Sequence, residues 1–243
     1  MSNRFSSFVK KKLLGKNKNL VSFEEPFDVM PRLLAKHKVT GVIDAGASNG
    51  RISKRLLRRF PIAEAYAFEP NPLYAETLNQ YAKIEPRFHP HFVALSDSEG
   101  EATLHVTESP GGTSLFVPEK RLQETMPDSA LVKSREKVEL VTIDNWAKRN
   151  GDPAIELMKF DIQGAELNAL RGAVDTLQRS TLLVYTEVSF NPLYEGGALY
   201  SEIDLLLRDY GFGLYDVYKP KYDSRGLIVW ANAIFVNLKR LGL

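Results

Sequence analysis

The chain has 243 residues, with 32 lysines and arginines against 30 aspartates and glutamates, four histidines and no cysteine. The missing cysteine excludes a disulfide-stapled module, thiolate zinc sites, cysteine-ligated iron–sulfur clusters and a catalytic thiol. With 44% hydrophobic and 26% charged residues, the chain has the composition and length of one large globular domain.

The N-terminal segment, residues 1–22, is predicted to be a basic arm. Its first 20 residues hold six lysines and arginines and no acidic residue, so the rest of the chain carries a net charge of −4. The arm lacks the apolar run of a signal peptide, and no stretch reaches the roughly 20 apolar residues that span a bilayer. We therefore expect a cytoplasmic chain in which residues 23–243 form a single domain.

From residue 26 onward, the hydrophobic pattern alternates between helical and strand periodicity. Helices are predicted at 26–37 (with a proline at position 31), 49–60, 72–82, 142–149, 166–178 and 199–210. Strands are predicted at 39–45, 65–68, 88–95, 102–107, 137–141, 155–160, 182–187, 212–218 and 228–236. Residues 108–136, with two adjacent glycines and three prolines, are predicted to form a long loop that could act as a lid.

This alternation predicts an α/β fold with a mostly parallel sheet and helices on both faces. In such folds, ligands bind beyond the carboxyl ends of the strands, near the point where the strand order reverses. Residues that directly follow each strand are therefore the candidates for chemistry.

A glycine turn follows the first predicted strand, but only two glycines are present and Ser48 replaces the middle glycine of a dinucleotide fingerprint. The turn opens with Asp44, which would repel a pyrophosphate and suits a cationic cofactor such as S-adenosylmethionine, whose carboxylate can lie at the next helix N-terminus. The alternative is a plain turn capped by Asp44. Cofactor contacts are assigned to Asp44, Gly46, Ala47, Asn49 and Gly50.

Two further acids are predicted to contact the cofactor. Glu69 ends the second strand, where a carboxylate can accept both ribose hydroxyls; its alternative role is to cap the following helix. Asp97 ends the third predicted strand, where it could accept from the adenine amine; residues 96–100 are equally typical of a turn.

The fourth and fifth strands end in a further group of polar residues. Lys159 and Asp161 end the fourth strand, Glu187 ends the fifth, and Tyr194 follows in a segment that resembles a pocket wall. Together with Ser114 of the predicted lid, Lys159, Glu187 and Tyr194 are assigned to the substrate. Glu166 is interpreted as a first-turn helix acid.

Seven segments in order resemble the FkbM-type methyltransferases: VIDAGASNG, AYAFEPNP, VALSDSEG, GGTSLF, VTIDNWAKRN, LMKFDIQGAELNALRGA and YTEVSFNPLYEGG. The resemblance covers about residues 39–236 and implies a Rossmann-like class I methyltransferase domain, a seven-stranded sheet with an antiparallel last strand. It also implies that Asp44, Gly46 and Glu69 contact S-adenosylmethionine and that Asp161 lies near the methyl donor. The family often has glutamate where this chain has Gln163, which puts a catalytic role for this position in doubt.

The activity that follows is in-line O-methylation of a hydroxyl on a sugar or natural product. Candidates for the general base are Asp161, Glu187 and His91. No metal ligands are assigned, although Asp161 and Glu187 are the residue type that Mg²⁺ prefers. The alternatives are a nucleotide-dependent oxidoreductase, a nucleic-acid methyltransferase and a binding protein without activity. Nucleic acid is disfavoured because the chain lacks a motif that grips a flipped adenine and a thiol for cytosine.

Overall fold

The computed structural model describes residues 24–243, so the predicted basic arm lies outside the described residues. The helices, numbered within this range, are α1 (Pro26–Leu33), α2 (Arg51–Arg59), α3 (Ala75–Ile84), α4 (Lys120–Thr125), α5 (Pro127–Ala130), α6 (Ile143–Arg149), α7 (Glu166–Arg171), α8 (Val174–Arg179), α9 (Tyr200–Asp209) and α10 (Leu238–Leu241). Short 3-10 turns lie at Pro72–Tyr74 and Pro110–Gly112.

The strands are β1 (Gly41–Ala45), β2 (Glu64–Phe68), β3 (Phe88–His91), β4 (Ala94–Leu95), β5 (Gly100–Thr107), β6 (Val132–Val141), β7 (Leu157–Phe160), β8 (Leu183–Ser189), β9 (Phe212–Tyr222) and β10 (Ile228–Asn237). Seven of them form one sheet in the order β3-β2-β1-β7-β8-β10-β9. Strand β10 runs antiparallel to the other six strands of this sheet, which confirms the predicted antiparallel last strand.

The strand order reverses between β1 and β7, because the chain first builds outward through β2 and β3 and then returns to pair β7 with β1. Strand β1 is buried throughout because helices cover both faces of the sheet. One apolar cluster contains Ile43 and Phe160, and the cluster on the other face contains Val42 and Leu157. The carboxyl ends of β1, β2 and β7 consequently converge at one edge.

A second, three-stranded sheet has the order β4-β6-β5. Its presence corrects the predicted strand at 88–95, which is split between the two sheets: β3 pairs with β2, whereas β4 pairs with β6. The apolar run continues through both pieces, so hydrophobic pattern alone could not show the change of partner.

The predicted loop at 108–136 is also wrong in its secondary structure. It contains a 3-10 turn, α4, α5 and the first half of β6. Leu122 and Ala130 bury against Leu193 and Tyr194, so these short helices are held by packing, which local sequence does not encode. The first half of β6 is polar and largely exposed, which hid its strand character.

The predicted helix at 166–178 is divided into α7 and α8 at Gly172. A Cβ atom at this position would lie 2.1 Å from the backbone oxygen of Ser96, so only glycine allows the close approach. The helix predicted at 26–37 ends at Leu33, although Pro31 lies inside it.

Candidate functional site

A cavity of about 320 Å³ lies at the carboxyl ends of β1, β2 and β7, beside the point where the strand order reverses. This volume is within the range of ligand sites in proteins. Segment 110–115 forms the opposite wall. The residues predicted from sequence that line the cavity are Gly46, Ala47, Asn49, Glu69, Ser114, Lys159 and Asp161.

The glycine turn shapes one wall of the cavity. Gly46 has a φ of +73°, and a Cβ atom there would lie 1.9 Å from the backbone oxygen of Asp161, so the two strand ends touch at this glycine. The backbone N–H groups of Gly46 and Ala47 both donate to Phe68 O. Gly50, at φ +74°, precedes α2 and does not line the cavity.

Asp44 is fully buried and does not line the cavity. The register places it beside Lys159 on β7, and the two side chains form an ion pair with 3.0 Å between Oδ1 and Nζ. Ser53 Oγ donates to Asp44 Oδ2 over 2.6 Å. The cation that the sequence predicted beside Asp44 is therefore present within the chain.

Lys159 is buried and fully engaged. Besides the ion pair, its Nζ donates to Ala45 O and Gly46 O at 2.9 and 3.0 Å. Burial lowers the pKa of Lys159, but the carboxylates of Asp44 and Asp161 outweigh burial, so the net pKa is raised and the lysine stays charged. Lys159 thus ties β7 to the glycine turn, a role different from the substrate contact predicted for it.

Glu69 lines the cavity from the end of β2 and is held by backbone N–H groups. Ser48 N donates to its Oε2 over 2.7 Å, and Asn71 N donates to its Oε1 over 2.9 Å. Burial raises the pKa of Glu69, while these two hydrogen bonds oppose the rise. Each carboxylate oxygen keeps further acceptor capacity, because a carboxylate offers about four lone-pair sites.

Asn71 is a cavity residue that was not singled out from sequence, although the Phe-Glu-Pro-Asn motif contains it. Its Oδ1 accepts from Leu73 N, whereas its Nδ2 is buried without a hydrogen-bond partner. A buried donor without a partner costs free energy unless a ligand or water satisfies it. The Nδ2 atom of Asn71 is therefore a donor without an acceptor in this structure.

Asp161 and Glu187 come together because Phe160 pairs with Thr186 in the β7–β8 register, which sets the next residues side by side. Asp161 lines the cavity with an exposed side chain. Glu187 is only partly exposed and lies outside the cavity lining. Burial and the charge of Asp161 hold the pKa of Glu187 well above its usual value.

Glu166 positions the turn that carries Asp161. Its two oxygens accept from the N–H groups of Ile162 and Gly164, each over 2.9 Å. Burial raises its pKa to about 7 despite these bonds. Its interpretation as a simple first-turn acid missed this contact, because the bonded N–H groups precede the helix.

Segment 108–131, named here the strap, lies across the cavity and is held there by hydrogen bonds to other parts of the chain. Backbone bonds join Glu119 N to Leu193 O and Glu195 N to Val117 O, and His105 pairs with Ser114. The hydroxyl of Ser114 donates to Gln163 O over 2.6 Å, so this predicted substrate contact is used inside the chain. Predicted substrate residue Tyr194 lies behind the wall, with its hydroxyl 3.2 Å from Gly112 O.

His91 and Asp97, like Asp44, Gly50, Glu187 and Tyr194, are predicted site residues that do not line the cavity. The ring of His91 stacks on Phe68, with 4.9 Å between centroids, and burial lowers its pKa to about 4. His91 is thus one layer behind the cavity wall. Asp97 is exposed in the turn after β4, where Ser96 and Ser98 donate to it.

Within residues 24–243, no group of three or more histidine, aspartate or glutamate side chains is arranged to hold a metal ion. The helices of this range are also too short or too polar for any of them to cross a lipid bilayer.

The sequence profile of the family described as Methyltransferase FkbM domain matches residues 44–214. Among curated proteins, the 2-O-methyltransferase NoeI of Sinorhizobium fredii (strain NBRC 101917 / NGR234) is 30% identical over 165 residues, which cover 64% of this chain and 65% of NoeI. Methyltransferase sdnD of Sordaria araneosa is 27% identical over 195 residues, covering 71% of this chain and 73% of sdnD. The match thus spans just under two thirds of NoeI.

Among solved structures, the Methyltransferase FkbM from Methylobacillus flagellatus KT aligns with a TM-score of 0.47 and 17% identity. The alignment covers 82% of this chain and 44% of that protein. All the residues that line the cavity, from Ala45 to Ala165, fall inside the segment that the family profile matches.

Proposed function

The chain belongs to the FkbM methyltransferase domain family, and from that premise we propose that it transfers a methyl group from S-adenosylmethionine to a hydroxyl of a small molecule. Glu69 carries this proposal. Its carboxylate is anchored by two backbone N–H groups at the end of β2 and opens into the cavity beside the glycine turn. Family membership favours methyl transfer over the oxidoreductase alternative.

The residues present fit the cofactor. Glu69 has spare lone pairs for the paired ribose hydroxyls. Asn71, whose Nδ2 has no hydrogen-bond partner, lines the same cavity. The turn from Gly46 to Asn49 supplies backbone close to the cavity. When bound, S-adenosylmethionine supplies a methyl group on a positively charged sulfur, which leaves as a neutral thioether once the acceptor oxygen takes the methyl group.

Asp44 and Gly50 are assigned a supporting role in this proposal. Asp44 forms an ion pair with Lys159 and accepts from Ser53, so it fixes the shape of the turn and does not reach the cavity. Asp97 and His91 have no part in the binding, since neither lines the cavity.

Asp161 is the proposed general base. Its carboxylate is the one acidic group besides Glu69 among the lining residues of the described chain, and Glu69 is committed to two backbone bonds. The proton that the acceptor hydroxyl loses passes to Asp161 as the oxygen takes the methyl group. Asp161 also provides a negative charge near the cationic donor.

For the acceptor, we propose a hydroxyl of a sugar or a comparable natural product. The relative NoeI is named a 2-O-methyltransferase, and residues of the strap form one wall of the cavity. A nucleic-acid acceptor stays an alternative without a supporting observation in the described residues.

The test is an acceptor screen with methyl-labelled S-adenosylmethionine and detection of methylated products by mass spectrometry. We expect the purified chain to label at least one hydroxyl compound, and Asp161→Asn to lower turnover by roughly 10²–10⁴-fold. Affinity for S-adenosylhomocysteine should stay within a few-fold of wild type in this variant. Normal turnover of Asp161→Asn would remove Asp161 from the reaction, and binding of NADH in place of S-adenosylmethionine would overturn the proposal.

A further inference from the structure

Gln163 lines the cavity, and its side chain and backbone oxygen are held by hydrogen bonds to four residues. Its Nε2 donates to Asp161 Oδ1 over 2.8 Å and to Glu187 Oε2 over 3.0 Å. Its Oε1 accepts from the hydroxyl of Tyr194 over 2.8 Å. Its backbone oxygen accepts from Ser114 Oγ over 2.6 Å. All the polar atoms of this side chain are therefore used.

The backbone at Gln163 is unusual as well. Its φ is +55°, in the left-handed region that residues other than glycine, asparagine and aspartate rarely adopt. The next residue, Gly164, has a φ of +99°, and Glu166 holds its N–H group. This backbone conformation costs conformational free energy, and it places the Gln163 side chain between two carboxylates.

The chemistry of the partners fixes the orientation of the amide. The Tyr194 hydroxyl keeps its proton and donates, so the amide oxygen faces this hydroxyl and the NH₂ group faces the carboxylate oxygens of Asp161 and Glu187. A primary amide has two N–H hydrogens on one nitrogen, which matches one for each carboxylate. No rotated amide would satisfy the same three partners.

The amide also changes the electrostatics of the pair. The pKa of Glu187 is raised by burial and then by the charges of Asp161 and Glu166, while Lys159 and the Gln163 bond lower it. Tyr194, the other titratable neighbour, keeps its proton because burial and these same carboxylates raise its pKa. Without the amide, two carboxylates side by side would favour taking up a shared proton.

We propose that Gln163 is a positioning residue, whose amide bridges Asp161 and Glu187, where a divalent cation could otherwise link the two carboxylates, and so holds the Asp161 carboxylate at the cavity. This inference rests on the proposed function for its catalytic meaning, because Asp161 is the base there. Gln163 itself is not a candidate for the general base, because its amide cannot take the proton. Its two N–H groups place partial positive charge between the two neighbouring acids.

The experiment follows the titration of Glu187 by NMR of the full chain labelled with ¹³C at the aspartate and glutamate carboxyl carbons, with the resonance assigned by Glu187→Gln. We expect Gln163→Met to raise the midpoint of Glu187 by about one pH unit or more, because two N–H donors to charged groups are lost. Tyr194→Phe keeps both N–H bonds and should leave the midpoint within a few tenths. Gln178→Met, at an exposed glutamine on α8, serves as the matched control.

A second measurement uses Mn²⁺ with the wild-type chain and with Gln163→Glu, so that it does not depend on how Gln163→Met folds. Paramagnetic broadening of the Asp161 and Glu187 carboxyl signals should be absent in wild type and appear in Gln163→Glu, which puts three carboxylates together. Mn²⁺ broadening in wild type, or an unchanged Glu187 midpoint in folded Gln163→Met, would overturn the inference.

Neither measurement needs a methyl acceptor, so both can be interpreted even if the methylation screen fails. A failed screen would count against the proposed function alone. Once an acceptor is found, Gln163→Met should lower kcat by roughly tenfold or more with KM for S-adenosylmethionine nearly unchanged. A residue that only packs the turn would lower cofactor affinity and kcat together and would leave the Glu187 midpoint in place.

Discussion

Two carboxylates at neighbouring strand ends, Asp44 on β1 and Glu69 after β2, have opposite fates in this fold. Asp44 is fully buried and is neutralised by the side chain of Lys159 on the adjacent strand. Glu69 is 7% exposed, has no side-chain cation in contact, and is held by two backbone N–H groups. The first carboxylate is satisfied within the chain, and the second keeps capacity for a ligand.

The difference shows what a strand-end acid needs in order to serve a ligand. A side-chain cation satisfies the charge and removes it from the binding surface, whereas backbone N–H groups orient the carboxylate and leave lone pairs open. Asp44 is therefore expected to control stability, and Glu69 is expected to control binding. Substitutions at the two sites can separate these effects.

The largest expected effect is that of Lys159→Met. It leaves Asp44 as a buried charge with only the Ser53 hydroxyl beside it, which should lower the free energy of unfolding by about 3–5 kcal/mol. Thermal unfolding should show a drop in Tm of roughly 10 °C. A loss below about 1 kcal/mol would mean that the ion pair contributes little.

A double-mutant cycle measures the coupling energy between Asp44 and Lys159. Adding Asp44→Asn to Lys159→Met removes the unpaired charge, so the double variant should be more stable than Lys159→Met by about 1–3 kcal/mol. Denaturant unfolding of the four proteins gives the coupling energy. Additive losses would contradict the pairing.

The acid side of the stability curve tests whether His91 is buried and uncharged behind the cavity wall. Its pKa in the folded chain is about 4, below the ordinary value of about 6.5, so the unfolded chain binds a proton first as the pH falls. The stability that neutral His91 provides is therefore present above about pH 6.5 and lost as the pH falls toward 4. We expect His91→Phe to reduce the loss between pH 6.5 and 4 by about 2 kcal/mol, measured by denaturant unfolding at each pH. An unchanged acid limb would show that His91 is solvated.

Asn71→Ala is expected to have the smallest effect on the binding side. One donor to the cofactor is lost, which should weaken the affinity for S-adenosylhomocysteine by roughly 2–10-fold in a calorimetric titration. The substitution also removes the bond to Leu73 N, so Tm is measured alongside. Unchanged affinity would mean that Nδ2 faces water in the complex.

Much of this arrangement could be predicted from the sequence. The alternation of helices and strands predicted the main sheet, and polar residues after the strands marked the edge where Gly46, Glu69 and Asp161 line the cavity. These predictions rest on local periodicity and on the geometry of parallel sheets, which the chain order encodes.

The remaining features depend on contacts between distant segments. Asp44 is typical of a cofactor contact by its residue type and its position near the end of β1. Only the β1–β7 register reveals that Lys159 lies beside it. The second sheet, the strap helices and the bridge made by Gln163 likewise arise from pairing and packing across more than 20 residues. Local pattern carries no information on such partners.

Whether the open carboxylate of Glu69 forms a site for S-adenosylmethionine is tested by a calorimetric titration with S-adenosylhomocysteine. Wild type should bind one equivalent, and Glu69→Ala should weaken the affinity by roughly 10–100-fold, since charge-assisted hydrogen bonds contribute about 1.5–3 kcal/mol. Tm without ligand should change little in this variant. Equal affinity of wild type and Glu69→Ala, or no binding by wild type, would contradict the account.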